Sequence, residues 1–199
     1  TGSNRYATQC PVPPQTPARR GFCYRYPCPA GTAANHPTPR SAMNPVIRLF
    51  RPADLDSIKA ITVDGFEGVS VDHGIEARFG SVAGHDWRWR KARHIDDDVA
   101  AHPDGVFVAE DSGHVIGYIT TRVDATTRKG RIPNLAVAAV ARKQGIGRAL
   151  ISHALEHLRE QGMEIAVIET MASNSAGQAL YPTCGFKEVG RQIHYAQRL

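Results

Sequence analysis

The sequence predicts an α/β (α+β) protein built on a mixed, mostly antiparallel sheet with helices on both faces. Apolar residues alternate in some segments and recur at helical spacing in others, which gives the element order β-α-α-β-β-β-α-β-α-β-β. This order lacks the regular βα alternation of doubly wound folds. A length of 199 residues, 42% of them hydrophobic, suits one full domain plus an extension.

The regular part of the chain begins with one strand and two helices. A short apolar run indicates the strand, and apolar residues at helical spacing indicate the helices. We expect the second helical stretch to break near Gly80 or Gly84, because glycine destabilises a helix interior. The predicted elements are a strand over Val46–Phe50, a helix from Leu55 to about Phe66, a loop over 67–73 and a helix from Ile75 to Ala101.

Three strands follow in the middle of the chain. Gly105–Glu110 and Val115–Val123 alternate as paired strands do, and the turn residues of 111–114 predict a hairpin between them. Arg131–Val137 is the third strand. Because proline has no N–H group for a sheet ladder, Pro133 predicts a bulge or distortion in it.

The last third of the chain predicts two helices and three strands. The first helix has a clear apolar face, and the second is closed by Gly185. The predicted elements are a helix from Ile146 to near Gly162, a buried strand over Glu164–Thr170, a helix over Asn174–Cys184, and a strand pair of Phe186–Val189 and Ile193–Gln197.

Residues 1–43 differ in composition from the rest of the chain. They hold five arginines and no acidic residue, with eight of the thirteen prolines and three of the four cysteines. Such a segment buries too little apolar surface to fold, so we expect a disordered tail, or an extension upstream of a natural start at Met43. Residues 44–199 are expected to form the single domain. The spacing of Cys10, Cys23, Cys28 and His36 fits no compact zinc site, and no metal is expected.

The net charge of +5 lies entirely in residues 1–43, since residues 44–199 carry 19 basic and 19 acidic side chains. This balance disfavours a nucleic-acid partner. The chain has no run of about 18 apolar residues, so we expect no membrane span. It also shows no apolar core of a signal peptide, and we expect a cytoplasmic protein.

The segment after the third middle strand has the chemistry of an anion site. Gly145 and Gly147 bring the backbone close to a ligand at the start of a helix, where N–H groups lack partners and the helix dipole favours anions. Arg142, Lys143 and Arg148 add positive charge. The alternative is that the glycines only allow close packing.

Two other phosphate motifs fit this segment poorly. A P-loop needs Ser or Thr after Gly-Lys, but Arg148 and Ala149 follow Gly147 here. A dinucleotide fingerprint needs a third small residue where Leu150 stands, and a regular βαβ succession is missing.

Two segments resemble the GNAT family of N-acetyltransferases. Arg142-Lys143-Gln144-Gly145-Ile146-Gly147 is similar to that family's Arg/Gln-x-x-Gly-x-Gly/Ala signature for acetyl-coenzyme A (acetyl-CoA). Asn174 to Tyr181, with the Gly185-Phe186 pair, resembles its Asn-x-x-Ala-x-x-Leu-Tyr…Gly-Phe block. The resemblance covers about residues 46–198 and implies transfer of an acetyl group from acetyl-CoA to a primary amine of a small molecule or protein.

The resemblance also implies roles for individual residues. The backbone of the third middle strand would pair with the pantetheine arm, and the glycine loop would hold the diphosphate. Tyr181 would protonate the departing thiolate, although it could be only a packed aromatic residue; Asn174 could equally be an ordinary helix cap. The implied cofactor-binding residues are Leu135, Ala136, Val137, Arg142, Lys143, Gln144, Gly145, Ile146, Gly147, Arg148 and Asn174.

The reaction requires a proton acceptor. An alkyl amine with a pKa of about 10.4 is neutral in about one molecule in 2,500 at pH 7, whereas an α-amine with a pKa of about 8 needs less help. Many members of the resembled family carry a carboxylate on the strand before the glycine loop, but Asn134 occupies that region here. Glu110 and Glu169 near strand ends are the candidate bases, and a surface ion pair is the alternative for each.

Direct attack in a ternary complex is favoured over an acetyl-cysteine route through Cys184, because no histidine is evidently paired with this thiol. Acceptor choice is expected from residues 64–94. His85–His94 could bind a planar or acidic ligand, or it could be an ordinary amphipathic helix whose charge Asp96–Asp98 offsets. A catalytically silent CoA-binding module is the alternative function, and a homodimer is common among proteins that this chain resembles.

Overall fold

The structure, a computed structural model, describes residues 45–199. The expectations for residues 1–43 therefore lie outside the described residues, including the one for the Cys10, Cys23, Cys28 and His36 set. Among the helices of residues 45–199, none is both long and apolar enough to cross a membrane.

Helices and strands follow the predicted order through the front and middle of the chain, with finer divisions. The α-helices of residues 45–199 are α1 Leu55–Gly65, α2 Val71–Phe79, α3 Trp87–Ala101, α4 Ile146–Glu160 and α5 Ser175–Thr183. The strands are β1 Val46–Leu49, β2 Val106–Asp111, β3 His114–Thr120, β4 Arg122–Asp124, β5 Lys129–Ile132, β6 Leu135–Val137 and β7 Ile165–Ile168.

The strands form two sheets, and the chain crosses from one sheet to the other. One sheet has the order β1-β2-β3-β6, with antiparallel neighbours throughout; the other has the order β4-β5-β7, with β4 antiparallel and β7 parallel to β5. The chain passes between the sheets at Thr121, and again at Pro133 and Asn134. The mixed, mostly antiparallel sheet predicted from the sequence is confirmed.

Side chains from opposite faces of β2 and β3 enter two separate cores. Phe107, Ala109 and Ile119 pack with the apolar face of α4, whereas Val108 and Tyr118 pack with α1 and α3. Because successive residues of a strand point to opposite faces, these two cores place α4 on one face of the sheet and α1 and α3 on the other. Helices therefore cover both faces, as expected.

The predicted hairpin and strand interruption are both present. Ser112 and Gly113 connect β2 and β3 with φ values of 51° and 80°, which are typical of a two-residue turn with a left-handed backbone. Two predicted strands are each divided in the structure. Val115–Val123 divides at Thr121, and Arg131–Val137 divides at Pro133 and Asn134, because each strand changes its partner there.

The second helical stretch is broken as expected, between α2 and α3. Its start is four residues earlier than predicted, at Val71, because the Ser70 hydroxyl accepts a hydrogen bond from the His73 backbone and caps α2. The loop predicted over residues 67–73 is correspondingly shorter. Asp86 caps α3 in the same way by accepting from the Trp89 backbone at 2.8 Å.

The prediction of a C-terminal strand pair is wrong, since residues 186–199 form neither helix nor strand. Phe186 packs against the α4 core, but Val189, Ile193 and Tyr195 are 96%, 74% and 90% exposed. Strands need a buried face, and these alternating side chains meet no core. The strand predicted as buried, β7, is partly exposed because it lies at a sheet edge; Ile165 is 61% exposed.

Candidate active site

An opening between β6 and β7 is the structural basis of the candidate site. Strand β7 pairs with β5 up to the Ile132–Ile168 pair, and the next strand, β6, pairs with β3 instead. The backbones of Asn134 and Ala138 bond toward β3, so the intervening residues Leu135 and Val137 direct their N–H and C=O groups to the opposite edge. This edge can accept an extended ligand as an additional strand.

The loop after β6 leads into the start of α4 with a left-handed backbone. Lys143 and Gly145 have φ values of 62° and 81°, and Gly145 is the N-cap of α4. The first hydrogen bond within α4 runs from the Ala149 N–H to the Gly145 carbonyl at 3.0 Å. The N–H groups before Ala149 therefore have no partner within the helix. The helix start therefore presents N–H donors and the positive end of the helix dipole to an anion.

Space is available for a ligand at this helix start. A Cβ placed on Gly145 would meet no heavy atom within 4 Å, and the loop residues Arg142–Gly145 are exposed. On Gly147, a Cβ would lie 3.2 Å from the Leu180 Cδ2 atom and 3.9 Å from the Val137 Cγ2 atom. The helix start therefore lies against both β6 and α5.

Two of the three predicted cations of this loop contact neighbouring protein groups. Arg142 donates from Nε to the Val137 carbonyl at 2.9 Å and forms an ion pair with Asp64 at 2.6 Å. Arg148 donates to the Thr183 carbonyl at 2.8 Å, which ties α4 to the end of α5. The charge of Arg142 is thus offset by Asp64, whereas the Arg148 guanidinium contacts uncharged groups of Thr183.

Asn174 is confirmed as the N-cap of α5, the alternative that the sequence left open. Its Oδ1 accepts from the Gly177 N–H at 3.0 Å, and its Nδ2 donates to the Thr170 hydroxyl at 2.8 Å. A Cβ on Gly177 would lie 2.8 Å from the Asn174 Nδ2 atom, so a side chain there would require Asn174 to shift. Asn174 is therefore held firmly at the end of β7.

Tyr181 lies on α5, one residue after the Leu180 that packs on Gly147. Its ring contacts Phe186 edge-on, with centroids 6.2 Å apart. Burial raises the pKa of Tyr181, although a hydrogen bond with the Thr170 hydroxyl opposes that change. Thr170 thus contacts both Tyr181 and Asn174. The sequence analysis missed Thr170, whose one signal was its position directly after a strand that borders the opening.

The two candidate bases lie in different parts of the fold. Glu110 accepts from Arg48 at 2.6 and 2.8 Å, and Arg48 also pairs with Asp54 at 2.7 Å. Strand β3 separates Glu110 on β2 from the β6 edge. Glu169 directly precedes Thr170 and forms an exposed ion pair with Arg131 at 2.5 Å. The structure brings Glu169, and not Glu110, to the end of the opening.

The cations of α3 are largely offset by nearby acids. Arg88 pairs with Glu67 at 2.9 Å, and Arg90 lies 3.5 Å from both Asp72 and Glu76. The segment His85–His94 therefore has the ion pairs of an amphipathic helix. On its exposed side, Trp89 stacks on His85 with ring centroids 3.6 Å apart, and the Arg93 guanidinium lies 5.3 Å from the centroid of the Trp89 ring, so neighbours within residues 64–94 already contact this ring.

Comparison with known proteins places these features in a family. The chain is 32% identical over 156 residues to the mycothiol acetyltransferase of Streptomyces coelicolor, a match that spans 78% of this chain and 47% of that protein. It is 35% identical over 100 residues to an N-alpha-acetyltransferase of Sulfurisphaera tokodaii, covering 45% and 60% of the two chains. The chain thus spans about half the length of the curated relatives that these matches represent.

The fold has counterparts among solved structures. The PaiA N-acetyltransferase of Thermoplasma acidophilum, solved in complex with coenzyme A, superposes with a TM-score of 0.59 at 19% identity, covering 73% of this chain and 91% of that one. The sequence profile of the acetyltransferase (GNAT) family matches residues 72–186, from α2 through the loop, α4 and α5. This chain belongs to the acetyltransferase (GNAT) family.

Proposed function

We propose that the protein transfers the acetyl group of acetyl-CoA to a primary amine by direct attack in a ternary complex. The observation that carries this proposal is the open β6 edge, which is followed by a short loop that ends at the helix start at Gly145. A diphosphate at the helix start and an amide-containing arm along β6 match the two halves of one cosubstrate. We further propose that residues 44–199 form the acetyltransferase domain.

The residues present fit coenzyme A chemically. Backbone N–H groups from Gln144 to Arg148 would hold the diphosphate, with Lys143 and the Arg142 and Arg148 guanidinium groups adding charge. The Leu135 carbonyl and the Val137 N–H would bond the amide groups of the arm, since both groups face the edge. When bound, acetyl-CoA supplies the acetyl group as a thioester.

Tyr181 is proposed to donate the proton that the departing thiolate requires. Its position on α5 beside the helix start supports this role. Because its pKa is raised, the hydroxyl keeps its proton throughout the neutral pH range and so has a proton to donate. Thr170, whose hydroxyl accepts from Asn174 and lies near that of Tyr181, would help to orient the Tyr181 hydroxyl.

Glu169 is the better supported of the two candidate bases. It borders the opening next to Thr170, and its exposed carboxylate can receive a proton directly or through water. Glu110 is held by Arg48 on the far side of β3. An acceptor α-amine would require less help from Glu169 than an alkyl amine, since its pKa of about 8 leaves more neutral base at pH 7.

The acceptor is proposed to be a primary amine on a small molecule or a protein, selected by residues 64–94. The names of the relatives, mycothiol acetyltransferase and N-alpha-acetyltransferase, support these two acceptor classes. Use of acetyl-CoA also supports a cytoplasmic location.

An acceptor screen tests the proposed function. Acetyl-CoA should raise the melting temperature of the full chain, and a panel of amino sugars, polyamines and peptide N-termini should include at least one amine that releases free CoA. A rise in melting temperature without CoA release from any amine would instead favour a silent CoA-binding module. No change in melting temperature would remove the basis of both functions.

A further inference from the structure

A buried polar cluster lies at the point where β5 gives way to β6. It consists of Lys91 and Asp98 of α3, Thr120 of β3 and Asn134, and we name it the Asn134 cluster. Its members are at most 6% exposed. Burying charged groups costs free energy, and a buried ion pair is weak evidence for a stabilising role. The Asn134 cluster is therefore a candidate for a functional role.

Four hydrogen bonds hold Asn134 in one orientation. Its Oδ1 accepts from the Lys91 Nζ at 2.7 Å, and its Nδ2 donates to the Asp98 Oδ2 at 2.6 Å. Its backbone N–H donates to the Thr120 hydroxyl at 3.1 Å, and its carbonyl accepts from the Thr120 N–H at 2.9 Å. Because lysine only donates and an ionised aspartate only accepts, the side-chain amide has one satisfactory orientation.

The two charged members are themselves held from several sides. Asp98 accepts from the Thr120 hydroxyl at 2.7 Å and from Arg122 at 2.7 and 3.0 Å. The Lys91 ammonium lies 3.9 Å from the centroid of the Phe66 ring, at the C-terminal end of α1. Burial lowers the pKa of Lys91 to about 8, although Asp72 and Asp98 oppose that change. The cluster is therefore anchored to α1, α3 and β4.

Asn134 occupies the pivot of the opening between β6 and β7. The last pair of β5 with β7 is Ile132–Ile168, and the first pair of β6 with β3 is Leu135–Ile119. A ligand whose diphosphate lies at the α4 helix start, after the C-terminal end of β6, extends along the edge toward Leu135. Three strand residues span about 10 Å, so an arm extended along β6 from that diphosphate would pass Val137 and bring its acyl end toward this pivot.

We infer that Lys91 and Asp98 are positioning residues: through Asn134 they hold the backbone N–H of Leu135 where it donates to the acetyl carbonyl of acetyl-CoA. This inference rests on the proposed function. It follows from the alternation of the strand, since the groups of Asn134 bond toward β3 and those of Leu135 face the open edge. Coenzyme A without the acetyl group has no carbonyl at that position.

Binding measurements on the full chain test the inference without any acceptor. Calorimetry would give the affinities of acetyl-CoA and CoA for the wild type, Lys91→Met, Asn134→Ala and the double variant. We expect the wild type to bind acetyl-CoA about tenfold more tightly than CoA, the value of one net hydrogen bond. Each single variant should lose this preference while its CoA affinity stays within about twofold, and the double variant should lose no more.

Lys59→Met is the matched control. Lys59 joins α1 to α3 through an ion pair with Asp96 at 2.6 Å but is not a member of the Asn134 cluster. This variant should keep the wild-type preference for acetyl-CoA. Hydrogen exchange on the wild type provides a second measurement that does not depend on the folding of any variant: acetyl-CoA should slow exchange of the Leu135 amide more than CoA does.

The outcomes separate this inference from the function on which it rests. If the wild type binds neither CoA nor acetyl-CoA, both are overturned. If it binds both ligands but Lys91→Met and Asn134→Ala keep the preference, or if the two losses multiply in the double variant, only the inference is overturned. If acetyl-CoA and CoA slow hydrogen exchange of the Leu135 amide equally, only the inference is likewise overturned.

Discussion

Leu180 of α5 packs directly on Gly147 of α4, so closely that a Cβ on Gly147 would lie 3.2 Å from the Leu180 Cδ2 atom. This contact joins the candidate diphosphate site to the helix that carries Tyr181. The distance between the two parts of the site therefore depends on the absence of a side chain at residue 147.

Gly147→Glu should reduce acetyl-CoA affinity by at least about 100-fold, because a carboxylate at the helix start repels the diphosphate. The Leu180 side chain can shift to accommodate the new Cβ, so the circular dichroism spectrum should remain near that of the wild type. Isothermal titration calorimetry measures the affinity. Gly74→Glu adds the same charge to α2, where a Cβ meets no atom within 4 Å, and should bind normally. Micromolar affinity in Gly147→Glu would contradict the placement of the site.

Tyr181→Phe should lower kcat by about 100-fold and leave the acetyl-CoA affinity nearly unchanged. The phenyl ring keeps the contact with Phe186, while the hydroxyl that would protonate the thiolate is lost. Initial rates of CoA release with an acceptor from the screen measure this effect. Tyr195→Phe removes a hydroxyl from a tyrosine that is 90% exposed and serves as the control. An unchanged kcat would remove Tyr181 as the acid.

Lys91→Met should change how stability depends on pH. The folded pKa of Lys91 is lowered to about 8 from its ordinary 10.5, so between these values the folded chain binds fewer protons than the unfolded chain. The free energy of unfolding of the wild type should therefore rise with pH relative to the variant, by about 3 kcal/mol over the whole interval. Urea unfolding between about pH 7 and pH 10 measures the difference; parallel curves would contradict it.

Arg48→Met should destabilise the fold by about 2 kcal/mol at neutral pH, since it leaves the Asp54 carboxylate without its charged partner and with only the Arg51 N–H as a donor among residues 45–199. The hydrogen bond from Arg48 lowers the pKa of Asp54 from its ordinary 3.8. The stabilisation is therefore complete above pH 3.8 and is lost as the pH falls through the lowered value. The gap between wild type and variant in urea unfolding should shrink accordingly.

Arg191→Met is the control for that experiment. Arg191 pairs with Glu188 on an exposed segment, and solvent screens such a pair, so this variant should lose little stability. Equal losses in the two variants would show that burial of Asp54 is unimportant.

Local signals predicted the parts of the molecule that depend on neighbours in sequence. The break at Pro133, the hairpin at Ser112 and Gly113, and the cap at Asn174 each follow from the conformational preference of the residue itself. The glycine loop was found for the same reason, because its chemistry lies in consecutive backbone groups.

Long-range contacts explain what the sequence did not predict. The alternation of Val189, Ile193 and Tyr195 resembles a strand, but no short segment reveals whether a partner strand is present. The Asn134 cluster joins Lys91 to Asn134 across 43 positions, and Thr170 meets Tyr181 only once β7 and α5 are folded. Such contacts are set by the sheet topology.

The division of the core into two faces has a consequence for how such a protein can change. The face with α4 carries the candidate diphosphate loop, whereas α1 and α3 cover the reverse face, and residues 64–94 run from the end of α1 through α2 into α3. Substitutions around Ile95 require no matching adjustment around Ile151, because the two side chains belong to different cores. Acceptor selection, proposed for residues 64–94, can therefore change through substitutions away from Lys91 and Asp98 while the core around α4 stays the same.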